Sequence, residues 1–221
     1  MTEAALDFRA TKDIDMILLI ENRFEEFGQV FWEFIRQGQY KCGLKSSEEP
    51  HFYRFTEPQP GFPFMIELFS RRPDFQMEHM DVHLTPLPIS DEVSSLSAIM
   101  LDNDYYNLML TGRKSVDGVS VLGAEYLIVF KMKAFLDLRQ KKADGLHVNA
   151  RDLKRHRNDV FRLFAIVDPT QRITLPEKVQ EEMGKFLKIV TEQPVKLRDL
   201  GLDGFALEEV LDGIQRIYGI G

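Results

Sequence analysis

The spacing of apolar residues changes near Gly123, and this change constrains the fold more than any other feature of the chain. After it, apolar residues recur every three or four positions, a spacing that is typical of amphipathic helices. Helices are predicted over residues 124–140, 150–167, 176–192 and 207–218. Gly145 breaks the first from the second, Thr174 is expected to cap the third, and Pro176 fits the first turn that follows.

Before Gly123, short apolar runs bounded by glycine, proline and polar residues predict strands instead. These strands are predicted over residues 13–20, 52–55, 62–70, 80–84, 96–101 and 119–122. Residues 1–8 are predicted to be the end of a helix, and residues 104–110 to be a short helix.

One further helix is expected to begin after a cap at Asn22. Its predicted core stripe consists of Phe24, Phe27, Phe31, Phe34 and Ile35. The predicted fold class is therefore α+β. A mixed sheet with flanking helices is expected over residues 1–123, and a helical region over residues 124–221.

Composition narrows the class of protein. Of the 221 residues, 44% are hydrophobic, which is enough for a globular core. A formal net charge of −7 argues against nucleic-acid binding through a general basic field, although it does not exclude a local basic groove.

The single cysteine, Cys42, excludes an intrachain disulfide and fits a reducing cytoplasm. No apolar run approaches the roughly 20 residues of a membrane span, so we expect a cytoplasmic protein with no membrane segment.

Several common site motifs are missing from the sequence. It contains no glycine-rich phosphate loop, no G-x-G-x-x-G fingerprint and no Ser/His/Asp hydrolase motif. The phosphate-loop and Rossmann classes therefore lose their main support.

Two aspartates open the first predicted strand. Side chains two residues apart in a strand point to the same face, so Asp13 and Asp15 would stand side by side. Such carboxylates repel each other unless a divalent cation neutralises them, and an oxygen-only site suits Mg²⁺ or Mn²⁺. The alternative is an exposed acidic start of a strand, since a D-x-D pair arises often by chance.

A third carboxylate, Glu67, interrupts the apolar run of residues 62–70. Burying it is costly unless it is paired or bound to a cation. Glu67 is expected either to join Asp13 and Asp15 around a metal or to be neutralised in another way. The alternatives are exposure to solvent and an ion pair with Arg9, Arg71 or Arg72.

If such a metal site held a triphosphate, basic residues would be expected near it, because chemistry on phosphates depends on positioning and charge neutralisation. In the helix over 124–140, the stem of Lys131 is expected on the apolar side with its ammonium group extended. Lys133 is predicted to be an ordinary surface lysine. Arg113 and Lys114, in a predicted polar turn, are either a second phosphate clamp or simply solvated.

The helix predicted over 150–167 is dense in charge. Asp152, His156 and Asp159 follow one another at spacings of four and three residues, so they share one face. Two interpretations stay open, a group that acts together and a solvated face held by salt bridges three and four residues apart.

Four motifs in order resemble the polymerase-β-type nucleotidyltransferase superfamily. They are Arg9-x-Thr11-x-Asp13-Ile14-Asp15, Ile66-Glu67-Leu68, Lys131-Met132-Lys133-Ala134 and Arg151-Asp152-Leu153. More narrowly, the chain resembles the AbiEii-type abortive-infection toxins and related bacterial nucleotidyltransferases. The resemblance spans roughly residues 9–163 and depends on the combination of motifs.

The resemblance implies a nucleotidyltransferase-like fold and a role for each matching residue. Three carboxylates would hold Mg²⁺ or Mn²⁺, namely Asp13, Asp15 and Glu67. Lys131 would contact the nucleotide triphosphate, and Arg9 and Thr11 would also bind the nucleotide. Asp152 would be the later aspartate, as a base or a positioning group, with Asp159 as the alternative for that role.

The implied reaction moves a nucleoside monophosphate from a nucleoside triphosphate to a hydroxyl, with loss of pyrophosphate. The acceptor is left open between an RNA end, a protein and a small molecule. The toxin resemblance also implies an antitoxin as a partner.

The chain departs from the family at one point. The family usually carries a Gly-Gly or Gly-Ser turn before the helix that leads into the D-x-D strand, and this turn helps to hold the phosphates. The sequence from Met1 to Asp13 has no such turn. Either the turn is encoded upstream of an internal start codon, or catalysis has been abandoned. The second explanation gives an alternative function, a catalytically inactive binding or regulatory protein with the same fold. A metal-dependent phosphohydrolase is a third candidate.

Overall fold

The computed structural model of the protein describes residues 13–18, 24–42, 54–71, 84–86 and 97–221. These residues form two compact units, which divide between Tyr106 and Asn107. The predicted helix over residues 1–8 and the predicted cap at Asn22 lie outside the described residues.

A six-stranded mixed sheet forms the first unit. Its strands are β1 (Asp13–Ile17), β2 (Lys41–Cys42), β3 (Arg54–Thr56), β4 (Met65–Arg71), β5 (Leu84–Pro86) and β6 (Ser97–Leu101). β4 is central, because β1 pairs with it in parallel along one edge while antiparallel β3 and then parallel β6 pair along the other. β2 pairs with β3, and β5 with β6, both antiparallel.

Helix α1 (Phe24–Gln37) covers one side of this sheet, and its buried side chains form a core with those of the strands. Phe31 and Ile35 are buried in one cluster with Phe55, Ile66 and other apolar residues. The rings of Phe31 and Phe55 meet edge to face, with 5.2 Å between their centroids. Phe34 is 36% exposed, so the phenylalanine stripe predicted as core is buried only in part.

Helices dominate the second unit, as the change in apolar spacing predicts. They are α2 (Asn103–Thr111), which begins just before the unit, α3 (Ala124–Ala143), α4 (Ala150–Phe164), α5 (Glu177–Glu192), a 3₁₀ helix (Leu197–Leu200) and α6 (Leu207–Tyr218). α4 packs against α3 and α6, and α3 also packs against α5. The predicted α+β class is therefore confirmed. Among the residues described, no helix is both long enough and apolar enough to cross a lipid bilayer.

A two-stranded hairpin, β7 (Arg113–Val116) and β8 (Val119–Leu122), precedes α3. Asp117 and Gly118 turn it with φ values of 50° and 79°, the left-handed pair that a type I′ turn requires. The strand predicted over 119–122 is confirmed, whereas the polar turn predicted for Arg113 and Lys114 is wrong. Both residues belong to β7, which an Asp-Gly turn pairs with β8.

The hairpin is fastened to α3. The Gly123 amide donates to the Gly112 carbonyl at 2.9 Å, and Lys114 pairs with Glu125 at 2.6 Å. A Cβ atom on Gly112 would lie 2.3 Å from the Tyr126 ring, so this close approach requires glycine. These contacts place the hairpin in the helical unit, which begins at Asn107, whereas the sequence analysis placed its start after Gly123.

The start of α5 differs from the prediction at Thr174. The helix is capped by Pro176 without a side-chain hydrogen bond, and Thr174 is exposed. The Pro176 carbonyl accepts from the amides of Val179 and Gln180, each at 2.9 Å. The predicted Thr174 cap is therefore wrong, because the helix begins two residues later than that cap would need.

Candidate functional site

Strand register places three carboxylates on one side of the mixed sheet. β1 pairs with β4 so that Asp15 lies opposite Glu67 and Asp13 lies opposite Met65. Residues paired in this way point to the same side of a sheet, and Asp13 shares that side because it precedes Asp15 by two positions. We call this side of β1 and β4 the acidic face, defined by Asp13, Asp15 and Glu67.

The opposite side of β4 is committed to the core, and this fixes the orientation of the acidic face. Ile66 and Leu68 are 2% and 0% exposed, and they belong to the cluster that contains Phe31 of α1. A register slip of one residue would turn Glu67 into the core and expose these neighbours. The apolar packing therefore keeps the three carboxylates on the other side.

Arg54 is the charge partner of Glu67. It lies opposite Glu67 in the antiparallel β3–β4 pair, and its Nε donates to Glu67 Oε1 at 2.6 Å. The Glu67 side chain is only 13% exposed, so the guanidinium compensates a carboxylate that is mostly withdrawn from water. The sequence analysis expected such a pair from Arg9, Arg71 or Arg72. The observed arginine instead lies directly across the sheet.

The acidic face fits a magnesium-type cation in its donor chemistry, since it offers carboxylate oxygens alone. Within the part of the chain that the structure describes, however, no three His, Cys, Asp or Glu side chains converge as a metal site. Glu67 instead binds Arg54. Nε and Nη2 of Arg54 both contact Oε1 of Glu67, so a cation that used all three carboxylates would either displace Arg54 or bind at Oε2 beside it. Arg9 and Thr11 lie outside the described residues.

An apolar concavity of about 570 Å³ opens beside the loop that precedes β4. It is lined by Ile14 and residues 58–64. Ile14 points to the side of β1 opposite to Asp13 and Asp15, because neighbouring residues of a strand alternate. The concavity is therefore separate from the acidic face.

In the helical unit, Lys131 of α3 and Asp152 of α4 come together around His156. Burial is the largest cause that lowers the pKa of His156, and the nearby charges of Lys131 and Arg155 act in the same direction. Asp159 and Asp152 oppose them, and the net effect is a pKa of about 4. The imidazole is therefore neutral at pH 7. We call these five residues, Lys131, Asp152, Arg155, His156 and Asp159, the charged cluster.

Both carboxylates of the charged cluster have arginine partners. Asp152 pairs with Arg155 at 3.3 Å, and Asp159 pairs with Arg162 at 3.2 Å. The salt bridges expected between residues three apart on this helix are thus confirmed. Lys131 differs, because it makes no ion pair or hydrogen bond with any residue that the structure describes. Within the ranges that the structure describes, Lys131 is thus the one charged member of the cluster without an ion-pair partner.

The other basic candidates have structural roles. Lys133 is partly buried and bridges Asp137 at 2.8 Å and Glu182 at 3.0 Å, which links α3 to α5. The prediction of an ordinary surface lysine is therefore wrong. Lys114 neutralises Glu125, which is 7% exposed, and so it is not a solvated turn residue.

Sequence reasoning missed the role of Arg54. The usable signal was an arginine inside the short apolar segment Phe52-Tyr53-Arg54-Phe55, which precedes the strand that carries Glu67. An isolated cation and an isolated anion in two neighbouring apolar strands favour a cross-strand pair.

Comparison with known proteins assigns no family. No protein-family model matches the chain, and neither a curated protein nor a solved structure matches it.

Proposed function

We propose that the protein is a metal-dependent nucleotidyltransferase. The proposal assigns the divalent-cation site to Asp13, Asp15 and Glu67, and the triphosphate contact to Lys131. The observation that carries it is the β1–β4 register, which sets Asp15 beside Glu67 on a face whose reverse is buried. Aligned carboxylates of this kind are what a Mg²⁺-bound nucleotide requires.

The chemistry follows from the charges of these residues. A hydroxyl oxygen of the acceptor attacks the α-phosphorus, a new P–O ester bond forms, the bond to the β-phosphate breaks, and pyrophosphate leaves. Mg²⁺ or Mn²⁺ would supply neutralisation of the phosphate charge. Lys131 adds a positive charge for the triphosphate, and Asp152 accepts the hydroxyl proton or positions the acceptor. The proposal includes the toxin role and the antitoxin partner implied by the family resemblance.

A second candidate function is a non-catalytic binding or regulatory protein of the same fold. The bridge between Arg54 and Glu67 favours it, because an arginine already neutralises the third carboxylate. An acidic strand pair held in this way needs no cation. The two candidates therefore differ in whether a divalent cation binds at Glu67 in addition to, or in place of, Arg54.

The test is transfer of label from α-³²P-labelled nucleoside triphosphates with Mg²⁺ to pools of RNA, protein and small molecules. We expect labelled product and pyrophosphate from the unmodified chain. Asp15→Asn and Glu67→Gln should each lower the rate at least about a hundredfold, because each removes a cation ligand. Glu57→Gln is the matched control, since Glu57 is an exposed carboxylate in the same unit that pairs with Lys41.

The alternative outcomes separate the candidates. Release of inorganic phosphate without pyrophosphate would identify a phosphohydrolase. If the chain neither binds nucleotide nor transfers label, catalysis is contradicted and the non-catalytic binding protein is the remaining candidate. Equal rates for Glu67→Gln and Glu57→Gln would remove Glu67 from the site.

A further inference from the structure

Positive charge is concentrated in one segment of this acidic protein. Residues 139–157 hold seven of the 28 lysines and arginines but only two of the 35 acidic residues. Their formal charge is +5, so the rest of the chain carries −12. The segment runs from the end of α3 to the start of α4, two helices that pack against each other. Its local field therefore attracts anions that the molecule as a whole would repel.

Four of the seven basic side chains are exposed and form no ion pair or hydrogen bond with the residues that the structure describes. We call them the basic corner, and they are Lys141, Lys142, Arg151 and Lys154. The carboxylate between them in sequence, Asp144, accepts instead from the Gln140 amide at 2.8 Å. The charge of the basic corner is thus left to solvent or to a ligand.

The other three basic side chains of the segment have contacts within the protein. Arg155 pairs with Asp152 at 3.3 Å, and the Arg139 guanidinium lies 5.8 Å from the centre of a phenylalanine ring. Arg157 donates to the side chain of the next residue, an asparagine, at 3.4 Å. The basic corner differs from these three in having no such contact.

All four residues of the basic corner lie at the same end of the α3–α4 pair. Lys141 and Lys142 are in the last turn of α3, and Arg151 and Lys154 are in the first two turns of α4. At 1.5 Å per residue, each lies within about 6 Å, along its helix axis, of the connection over residues 144–149. The four charges therefore form one cationic end of the helix pair.

Helix stability accounts for only half of this charge. The helix dipole favours Lys141 and Lys142 at the C-terminal end of α3, whereas it disfavours Arg151 in the first turn of α4. Arg151 and Lys154 are also like charges three residues apart, which repel each other on a helix surface. Since these two positions cost stability and have no partner among the described residues, they favour a role in binding.

The segment has little of the apolar surface that membrane binding needs. In residues 139–157, all of which the structure describes, the one exposed large apolar side chain is Leu146. Binding at a lipid interface requires an apolar face in addition to basic residues. Several separated cations match instead a ligand whose negative charge repeats along a chain, as phosphate does in a nucleic acid.

We propose that the basic corner binds the phosphodiester backbone of a polynucleotide, through contacts from Lys141, Lys142, Arg151 and Lys154 to its phosphates. Residues 139–157 contain no Phe, Tyr or Trp on which bases could stack, so binding is independent of base sequence. The surface is a local one, which a net charge of −7 does not exclude. The inference goes beyond the proposed function and does not depend on it, because the basic corner needs neither metal nor nucleoside triphosphate.

The experiment is fluorescence anisotropy of labelled RNA and DNA, each as a single strand and as a duplex, titrated with the full chain in the presence of EDTA. We expect binding that does not change with base sequence, and whose log affinity falls linearly with log salt between about 50 and 200 mM. The double variant Arg151→Gln with Lys154→Gln should weaken binding about tenfold or more and reduce the salt slope by about 1–2, because two phosphate contacts are lost. Lys141→Gln with Lys142→Gln should act in the same way.

The matched control is Lys185→Gln with Lys188→Gln. These exposed lysines of α5 have the same three-residue spacing as Arg151 and Lys154 and make no ion pair with the described residues. The control removes the same charge from another helix, so the salt slope should stay that of the unmodified chain. Circular dichroism checks that each variant keeps its helices.

The proposal is overturned if neither RNA nor DNA binds at the lowest salt, or if the control weakens binding as much as the changes in the basic corner. It is also overturned if phosphatidylserine vesicles or polyglutamate bind the chain as tightly as nucleic acid. The RNA and DNA arms show which polynucleotide binds more tightly. Nucleotide transfer by a chain that binds no polynucleotide would reject this inference alone, whereas binding through the basic corner without transfer would reject the proposed function alone.

Discussion

Arg54 neutralises the charge of Glu67 in the structure. Its guanidinium holds a carboxylate that is 13% exposed, whereas Arg54 itself is 49% exposed. A partner at the edge of solvent can be displaced at lower cost than a buried one, because water then solvates the released guanidinium. The same residue therefore stabilises the sheet, and under the proposed function its positive charge competes with a cation at Glu67.

Replacing Arg54 with methionine tests this competition. Arg54→Met leaves Glu67 without compensation, so we expect the free energy of unfolding in metal-free buffer to fall by about 1–3 kcal/mol. Urea unfolding followed by circular dichroism measures it. Added Mn²⁺ should stabilise Arg54→Met more than the unmodified chain, because the cation then compensates Glu67.

The matched control for this change is Lys41→Met, which breaks the bridge to Glu57 between side chains that are 72% and 60% exposed. An exposed pair of this kind contributes little to stability, because water and salt screen it. The competition is refuted if Arg54→Met behaves like Lys41→Met, or if Mn²⁺ stabilises Arg54→Met no more than the unmodified chain.

At the scale of helices, two glycines in similar local structure lie in different environments. Gly184 lies in α5, where a Cβ atom would meet nothing within 4 Å. Gly213 lies in α6, where a Cβ atom would come 2.4 Å from Cζ of Phe164 in α4. The first glycine therefore only weakens its helix, while the second permits α6 to approach α4.

Alanine at each position should act in opposite directions. Gly184→Ala should raise the free energy of unfolding by up to about 1 kcal/mol through helix propensity. Gly213→Ala should lower it by about 1–3 kcal/mol, because the added methyl displaces Phe164. Thermal and urea unfolding compare the two. If Gly213→Ala is as stable as Gly184→Ala, then α6 does not pack closely against Phe164 of α4.

The sequence predicts elements well where their signal is local. Val179, Met183 and Phe186 of α5 recur at helical spacing and are buried, so the helix follows from its own residues. The pairing of distant segments has no such local signal. The sequence indicates that Asp13 and Asp15 share a face, but their register against Glu67 depends on which strand lies beside β1.

The charged cluster illustrates the same limit at a site. The spacing of Asp152, His156 and Asp159 predicts a shared helix face, and the effect of the two aspartates on the pKa of His156 agrees with it. Dense charge makes that face resemble a solvated one, so the burial of His156 Nδ1 is not visible in the sequence. It arises from packing of α4 against α3, and such packing depends on the tertiary fold.

At the scale of the whole molecule, net charge affects how cation binding must be measured. The chain carries 35 acidic and 28 basic residues, a formal charge of −7, and so attracts divalent cations without any specific site. Ionic strength near 0.15 M limits this field to about 8 Å, which leaves coordinated cations in place. Cation binding at a specific site must therefore persist at physiological salt, and it must weaken when a single carboxylate is replaced.

The most direct measurement is Mn²⁺ binding to the acidic face by electron paramagnetic resonance at 0.15 M salt, with a nucleoside triphosphate present and the metal bound by nucleotide alone subtracted. The unmodified chain and Glu57→Gln should bind Mn²⁺ equally. Asp15→Asn and Glu67→Gln should each weaken binding about tenfold or more, because each removes a coordinating oxygen. Equal Mn²⁺ affinity in all four proteins, or no bound Mn²⁺ in the unmodified chain, would contradict a metal site at Asp13, Asp15 and Glu67.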